Sequence, residues 1–167
     1  PNAVDDSDIL KFTAVQTGPD TAGTFEVYFD GSDVGLTTFD EGVDAVTLLD
    51  DGRCVLSVRG SVSVPGVDSA NEDLLIFEAT SIGDATSGSW SRYFDGSDVA
   101  LAEGSEDVDG VAVDPSENIL LSTVGAFSVS GVSGADEDIL VFQPTQLGFS
   151  TTGTFSPNLL FDGSSFG

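Results

Sequence analysis

Val108-Asp109-Gly110-Val111-Ala112-Val113-Asp114-Pro115-Ser116-Glu117-Asn118-Ile119-Leu120-Leu121 reads as two short apolar strands joined by a polar turn. Branched aliphatic residues suit a pleated, half-buried surface, whereas Asp, Pro, Ser and Asn favour chain reversal. The same phrase stands 65 residues upstream, as Val43-Asp44-Ala45-Val46, the turn Asp50-Asp51-Gly52, and Leu56-Ser57. Asp-Gly between apolar runs is a strong hairpin signal.

Working outward, the repeat covers the chain. Asp8-Ile9-Leu10-Lys11-Phe12 returns as Asp73-Leu74-Leu75-Ile76-Phe77 and as Asp138-Ile139-Leu140-Val141-Phe142, again at 65-residue intervals. Phe29-Asp30-Gly31-Ser32-Asp33-Val34 returns as Phe94-Asp95-Gly96-Ser97-Asp98-Val99, and in altered form as Phe161-Asp162-Gly163-Ser164-Ser165-Phe166. Each unit divides into four short strand-like runs. Strand A is 44–49 and 109–113. Strand B is 53–58 and 119–124. After a longer loop, strand C is 9–14, 74–79 and 139–143. Strand D is 24–29, 89–94 and 154–161. No stretch has helical periodicity.

The expected fold is all-β: one repeat domain over 1–167, in units of 1–42 (partial), 43–107 and 108–167. Four antiparallel strands per unit make a β-propeller-like blade, of which the chain holds about two and a half. The blades are either completed by other copies or stacked as an open β array. The segment from Val108 to Leu121 resembles the inner blade hairpin of NHL-type propellers, with Glu117 where their turn has Gly. The wider resemblance is to tandem repeats of secreted bacterial and archaeal surface proteins. It implies a fold and an extracellular or cell-surface setting more than an activity. The start at Pro1, without Met, reads as a processed chain or a piece of a longer one.

The chain carries 29 acidic and 4 basic residues, for a net charge of −25, yet 40% of its residues are hydrophobic. That share supplies a core and argues against disorder. The charge repels nucleic acid, which is held by Lys and Arg on phosphate, and no apolar run is long enough for membrane insertion. Cations, glycans, cell-surface material and further copies of the chain remain as partners. Asp outnumbers Glu 21 to 8, a bias that suits calcium sites or a salt-adapted surface.

The D-to-A and B-to-C loops should share one end of each unit and gather their acids there. Calcium takes six to eight oxygens. The candidate ligands are Asp30, Ser32 and Asp33, their mates Asp95, Ser97 and Asp98, and the strand-entry acids Asp5, Asp6, Asp8, Glu72, Asp73, Asp136, Glu137 and Asp138. The other reading is that Asp, Ser and Gly fill these loops as turn formers. With no His, and with Asp30, Asp33, Glu41 and Asp44 all repeated 65 residues on, no carboxylate pair stands out as an active site, and no enzyme is expected. Trp90 occupies the aromatic slot of Phe25 and Phe155, and Cys54 that of Ile119, which predicts core packing for both.

The leading expectation is an extracellular structural or surface-assembly protein. It self-associates through edge strands into an oligomer, polymer or filament, with acidic loops binding calcium. The alternative is a glycan- or protein-binding module within a larger secreted propeller.

Overall fold

A computed structural model describes residues 4–166; residues 1–3 and 167 of the first and last units lie outside it. The chain is built of antiparallel strands. The first unit contributes one hairpin, β1 (Ile9–Gln16) and β2 (Ala22–Phe29). The second is a four-stranded meander of β3 (Val43–Leu48), β4 (Cys54–Val58), β7 (Leu74–Ser81) and β8 (Ser87–Phe94), paired in that order. The third repeats it with β9 (Val108–Val113), β10 (Ile119–Thr123), β13 (Leu140–Gln146) and β14 (Thr152–Phe155). Strands A to D of the sequence thus pair in chain order. Among the described residues no helix is long and apolar enough to cross a membrane.

The long B-to-C loops are not plain loops. Each holds a small hairpin: β5 (Val62–Val64) with β6 (Val67–Ser69), and β11 (Phe127–Val129) with β12 (Val132–Gly134). Their two-residue turns, Pro65-Gly66 and Ser130-Gly131, put Gly in the left-handed region. The last D strand also departs from expectation. Two extra residues enter there, so β14 stops at Phe155. The chain turns at Ser156-Pro157-Asn158 and returns to the sheet only where Phe161 bridges Ile139. Pro157 has no N–H to give to a ladder.

Burial explains the layering. One core joins the first unit to the second, with Phe29 and Leu36 packing on Cys54, Leu56, Leu75, Phe77 and Trp90. The other joins the second to the third, with Val55, Leu74, Ile76 and Phe94 packing on Ile119, Leu121 and Phe142. The middle sheet is therefore covered on both faces, and all five residues of β4 are buried. Its counterpart β10 alternates buried with half-buried, because only one face is covered. A run of apolar residues marks a doubly covered strand and alternation a singly covered one. The units form layers, each core lying between two of them.

Candidate functional site at the seams between units

The Phe-Asp-Gly-Ser phrase ends each D strand and makes a short 3-10 turn, Ser32–Val34 and Ser97–Val99. Its Asp orders the turn: Asp30 Oδ1 accepts from Ser32 Oγ (2.7 Å) and Asp33 N (3.3 Å). Asp95 Oδ1 likewise accepts from Ser97 Oγ (2.7 Å), and Asp162 Oδ1 from Ser164 Oγ (2.7 Å) and Ser165 N (3.2 Å). The Gly is required by proximity. A Cβ at Gly96 would stand 2.5 Å from Glu72 O, and one at Gly163 2.6 Å from Glu137 O. That closeness lets the Gly N–H reach a strand-entry carboxylate. Gly31 donates to Asp8 (2.9 Å), Gly96 to Asp73 (2.9 Å) and Gly163 to Asp138 (3.0 Å).

Each such turn clasps the C-to-D turn of the next unit. At the first seam, Gly83 N donates to Tyr28 O (2.9 Å), Asp30 N to Thr86 Oγ1 (2.9 Å) and Thr86 N to Asp33 Oδ2 (2.9 Å). At the second seam, Gly148 N donates to Tyr93 O (2.9 Å), Asp95 N to Thr151 Oγ1 (2.8 Å) and Thr151 N to Asp98 Oδ2 (2.8 Å). The aromatic rings follow the same plan. Phe29 meets Phe77 edge-on at 5.2 Å, as Phe94 meets Phe142 at 5.2 Å. Trp90 is buried in the first seam and donates Nε1–H to Val34 O (2.9 Å), so its slot is a packing slot. Cys54 is likewise a buried free thiol whose pKa burial raises to about 11.

The acidic loops do meet at one end of each unit, as Gly60 N donating to Asp40 O and Ser128 N donating to Glu106 Oε1 show. Among the candidate calcium ligands, Asp5 accepts from Ser7, Asp8 from Asp5 N, and Asp6 pairs with Arg59 (3.1 Å). Asp73 and Asp95 hold the guanidinium of Arg92, which also donates to Asp68 O. In the second unit a fixed cation thus sits between the acids, where the first unit has Val27 in place of Arg92. Asp138 Oδ2 accepts from Ala135 N, and burial raises the pKa of Glu72. Asp136 and Glu137 precede Asp138 on its loop, and Glu137 lies against Gly163. Among the described residues no group of three or more His, Cys, Asp or Glu side chains is gathered so as to hold a metal ion.

The sequence did not bring out one further cluster. Where β3 packs beside β9, Asp44 Oδ1 and Asp107 Oδ1 are both buried without a hydrogen-bond partner. Burial, then the charge of Asp107, raises the Asp44 pKa to about 7. Burial also raises that of Asp107, and Asp109 adds to it, against a hydrogen bond from the Asn71 side chain and the charge of Arg59. The signal was available, since Asp107 has Gly42 as its mate 65 residues upstream and so breaks the repeat. At the opposite, A-to-B end, a cleft of about 510 Å³ lies between the turns, lined by residues that include Leu48, Arg53, Tyr93 and Asp114.

Compared with protein families, curated proteins and solved structures, the chain matches none of them.

Proposed function

We propose that the protein is an extracellular structural protein that assembles into surface layers or filaments by self-association of propeller-like units stacked as an open array. One observation carries the reading: the first unit leaves uncovered what the other units bury. Phe12 is 37% exposed, where Phe77 and Phe142 are 1% and 0% exposed. Phe25 is 70% exposed, where Trp90 and Phe155 are each 8% exposed. β1 also lies at the edge of a two-stranded sheet, on the side where β7 and β13 carry a partner strand. A contiguous aromatic face beside an open strand edge is an association surface. The regular repetition of acids and aromatics supports a building element over a catalyst.

With a net charge of −25, copies repel one another until the charge is screened or neutralised. Cations, calcium among them, serve the assembly in this way. The test is analytical ultracentrifugation and negative-stain microscopy of the chain from low to 1 M NaCl, with and without calcium. Concentration-dependent assembly that grows with salt is expected. A monomer under every condition would rule the reading out.

A further inference from the structure

The A-to-B turns of the second and third units hold the same place in the repeat and share one backbone. Leu49 N donates to Arg53 O (2.9 Å) and Gly52 N to Leu49 O (2.9 Å), as Asp114 N does to Asn118 O (3.0 Å) and Glu117 N to Asp114 O (2.9 Å). The fold therefore asks the same of both turns. Their side chains nonetheless differ at every position, Leu49-Asp50-Asp51-Gly52-Arg53 against Asp114-Pro115-Ser116-Glu117-Asn118. Glu117 even keeps a side chain at φ 64°, where the other turn has Gly52 at φ 87°. Side chains that the repeat does not require are free to serve a ligand.

The cleft of about 510 Å³ lies between these turns, a volume that suits a small molecule. Its walls are apolar: Leu48, Leu49, Val113, Pro144 and Leu147, with Tyr93 beside them. Four carboxylates and one guanidinium also line it, a net charge of −3. Two of the four are committed. Asp51 holds Arg53 (2.8 Å), and Asp114 accepts from Ser116 N, Asn118 N and Asn118 Nδ2. The other two, Asp50 and Glu117, are exposed, and among the described residues no hydrogen bond or ion pair engages their carboxylates. Their field reaches the wall: burial, and next the charge of Glu117, raise the Tyr93 pKa.

These features select an occupant by its chemistry. An anion is repelled. A bare metal ion makes no use of the apolar walls, and a neutral molecule gains nothing from the charge. A cation on a hydrocarbon stem uses both. We propose that this cleft binds a small organic amine, with its ammonium at Asp50 and Glu117 and its stem against Leu48, Val113 and Leu147. The site lies between two internal units and stands whether or not the chain self-assembles.

The experiment is an amide NMR titration of the full chain with phenethylamine at pH 7, in about 0.15 M NaCl to screen the acidic surface. Two controls divide the ligand: methylammonium carries the charge without the stem, and 3-phenylpropanoate the ring with the opposite charge. Phenethylamine is expected to give saturable shifts confined to residues 48–53, 113–118 and 145–147, with each control at least about tenfold weaker. Glu117→Gln and Leu48→Gln, both at exposed positions, should each weaken binding about fivefold or more. Glu117→Gly should lose the ligand to the same degree without a lower urea midpoint, a combination that a purely structural Glu117 would not give. Equal binding of either control, shifts spread over the other acidic loops, full affinity in either Gln variant, or no saturation at millimolar amine would each overturn the proposal. Shifts at the cleft from an oligolysine peptide and not from the amine would overturn it in favour of a protein partner.

Discussion

Glu117 has φ 64°, in the left-handed region where a Cβ is crowded, while its mate Gly52 takes φ 87° without cost. The turn is held around it by Asp114, whose carboxylate accepts from Ser116 N, Asn118 N and Asn118 Nδ2. Glu117→Gly relieves roughly 1–2 kcal/mol of backbone strain against roughly 0.4–1 kcal/mol from a freer unfolded chain. A net gain of up to about 1.5 kcal/mol is expected, read as a higher urea midpoint at unchanged slope. An unchanged or lower midpoint would mean that the Glu117 side chain contributes more than its backbone costs. Asp44 sets a pH dependence at the same scale. Its folded pKa of about 7 lies above the unfolded value. The neutral carboxyl is therefore the form that folding favours. Its contribution is complete below about pH 4, fades as pH rises through 7, and is absent beyond. After allowing for the partial exposure of the group, Asp44→Asn should match the natural protein near pH 4 and exceed it by about 1–2 kcal/mol at pH 8. Denaturation curves at the two pH values measure this, and a pH-independent difference would refute the assignment.

At the scale of the element, the C-to-D turns allow an internal comparison. Thr151 Oγ1 donates to Gly148 O and accepts from Asp95 N of the preceding unit, whereas Thr21 Oγ1 donates only to its own turn among the bonds seen. Thr151→Ala leaves a buried N–H without its acceptor and is expected to cost about 1–3 kcal/mol. Thr21→Ala, on an exposed turn in a dilute monomer, should cost less than about 0.5 kcal/mol. Equal losses in thermal unfolding would show that the hydroxyl serves its own turn and not the seam. The A-to-D strands were legible because period-2 apolar runs recur at one spacing with turn residues between them. The hairpins β5–β6 and β11–β12 were not recognised, although Pro65-Gly66 and Ser130-Gly131 mark their turns. Their strands of three residues fall below the length at which alternation identifies a strand.

For the whole molecule, the sequence predicted units but not the layers between which the cores lie. The apolar run Cys54-Val55-Leu56 carried that information, since a strand apolar on both faces must be covered on both. The clasp was less accessible. Thr21, Thr86 and Thr151 recur at the repeat spacing, but Thr is ordinary in turns, and the partners of Thr86 lie 53 and 56 residues away in another unit. The acidic loops meet, and much of the bonding of their carboxylates goes to backbone N–H groups and to Arg92. Asp107 showed itself only as a departure from its mate, because burial is a property of the stack and not of the local phrase.

The seam has a consequence for how such a chain loses its structure. Each unit is braced only by its immediate neighbours, so stability accrues one seam at a time, in the manner of a row of coupled spins. An interior unit is held from two sides and a terminal unit from one, whatever the number between them. Adding units protects the middle of the row and leaves its ends as they were. Fraying, proteolysis and hydrogen exchange therefore begin in a unit that is held by a single seam, and they advance inward layer by layer.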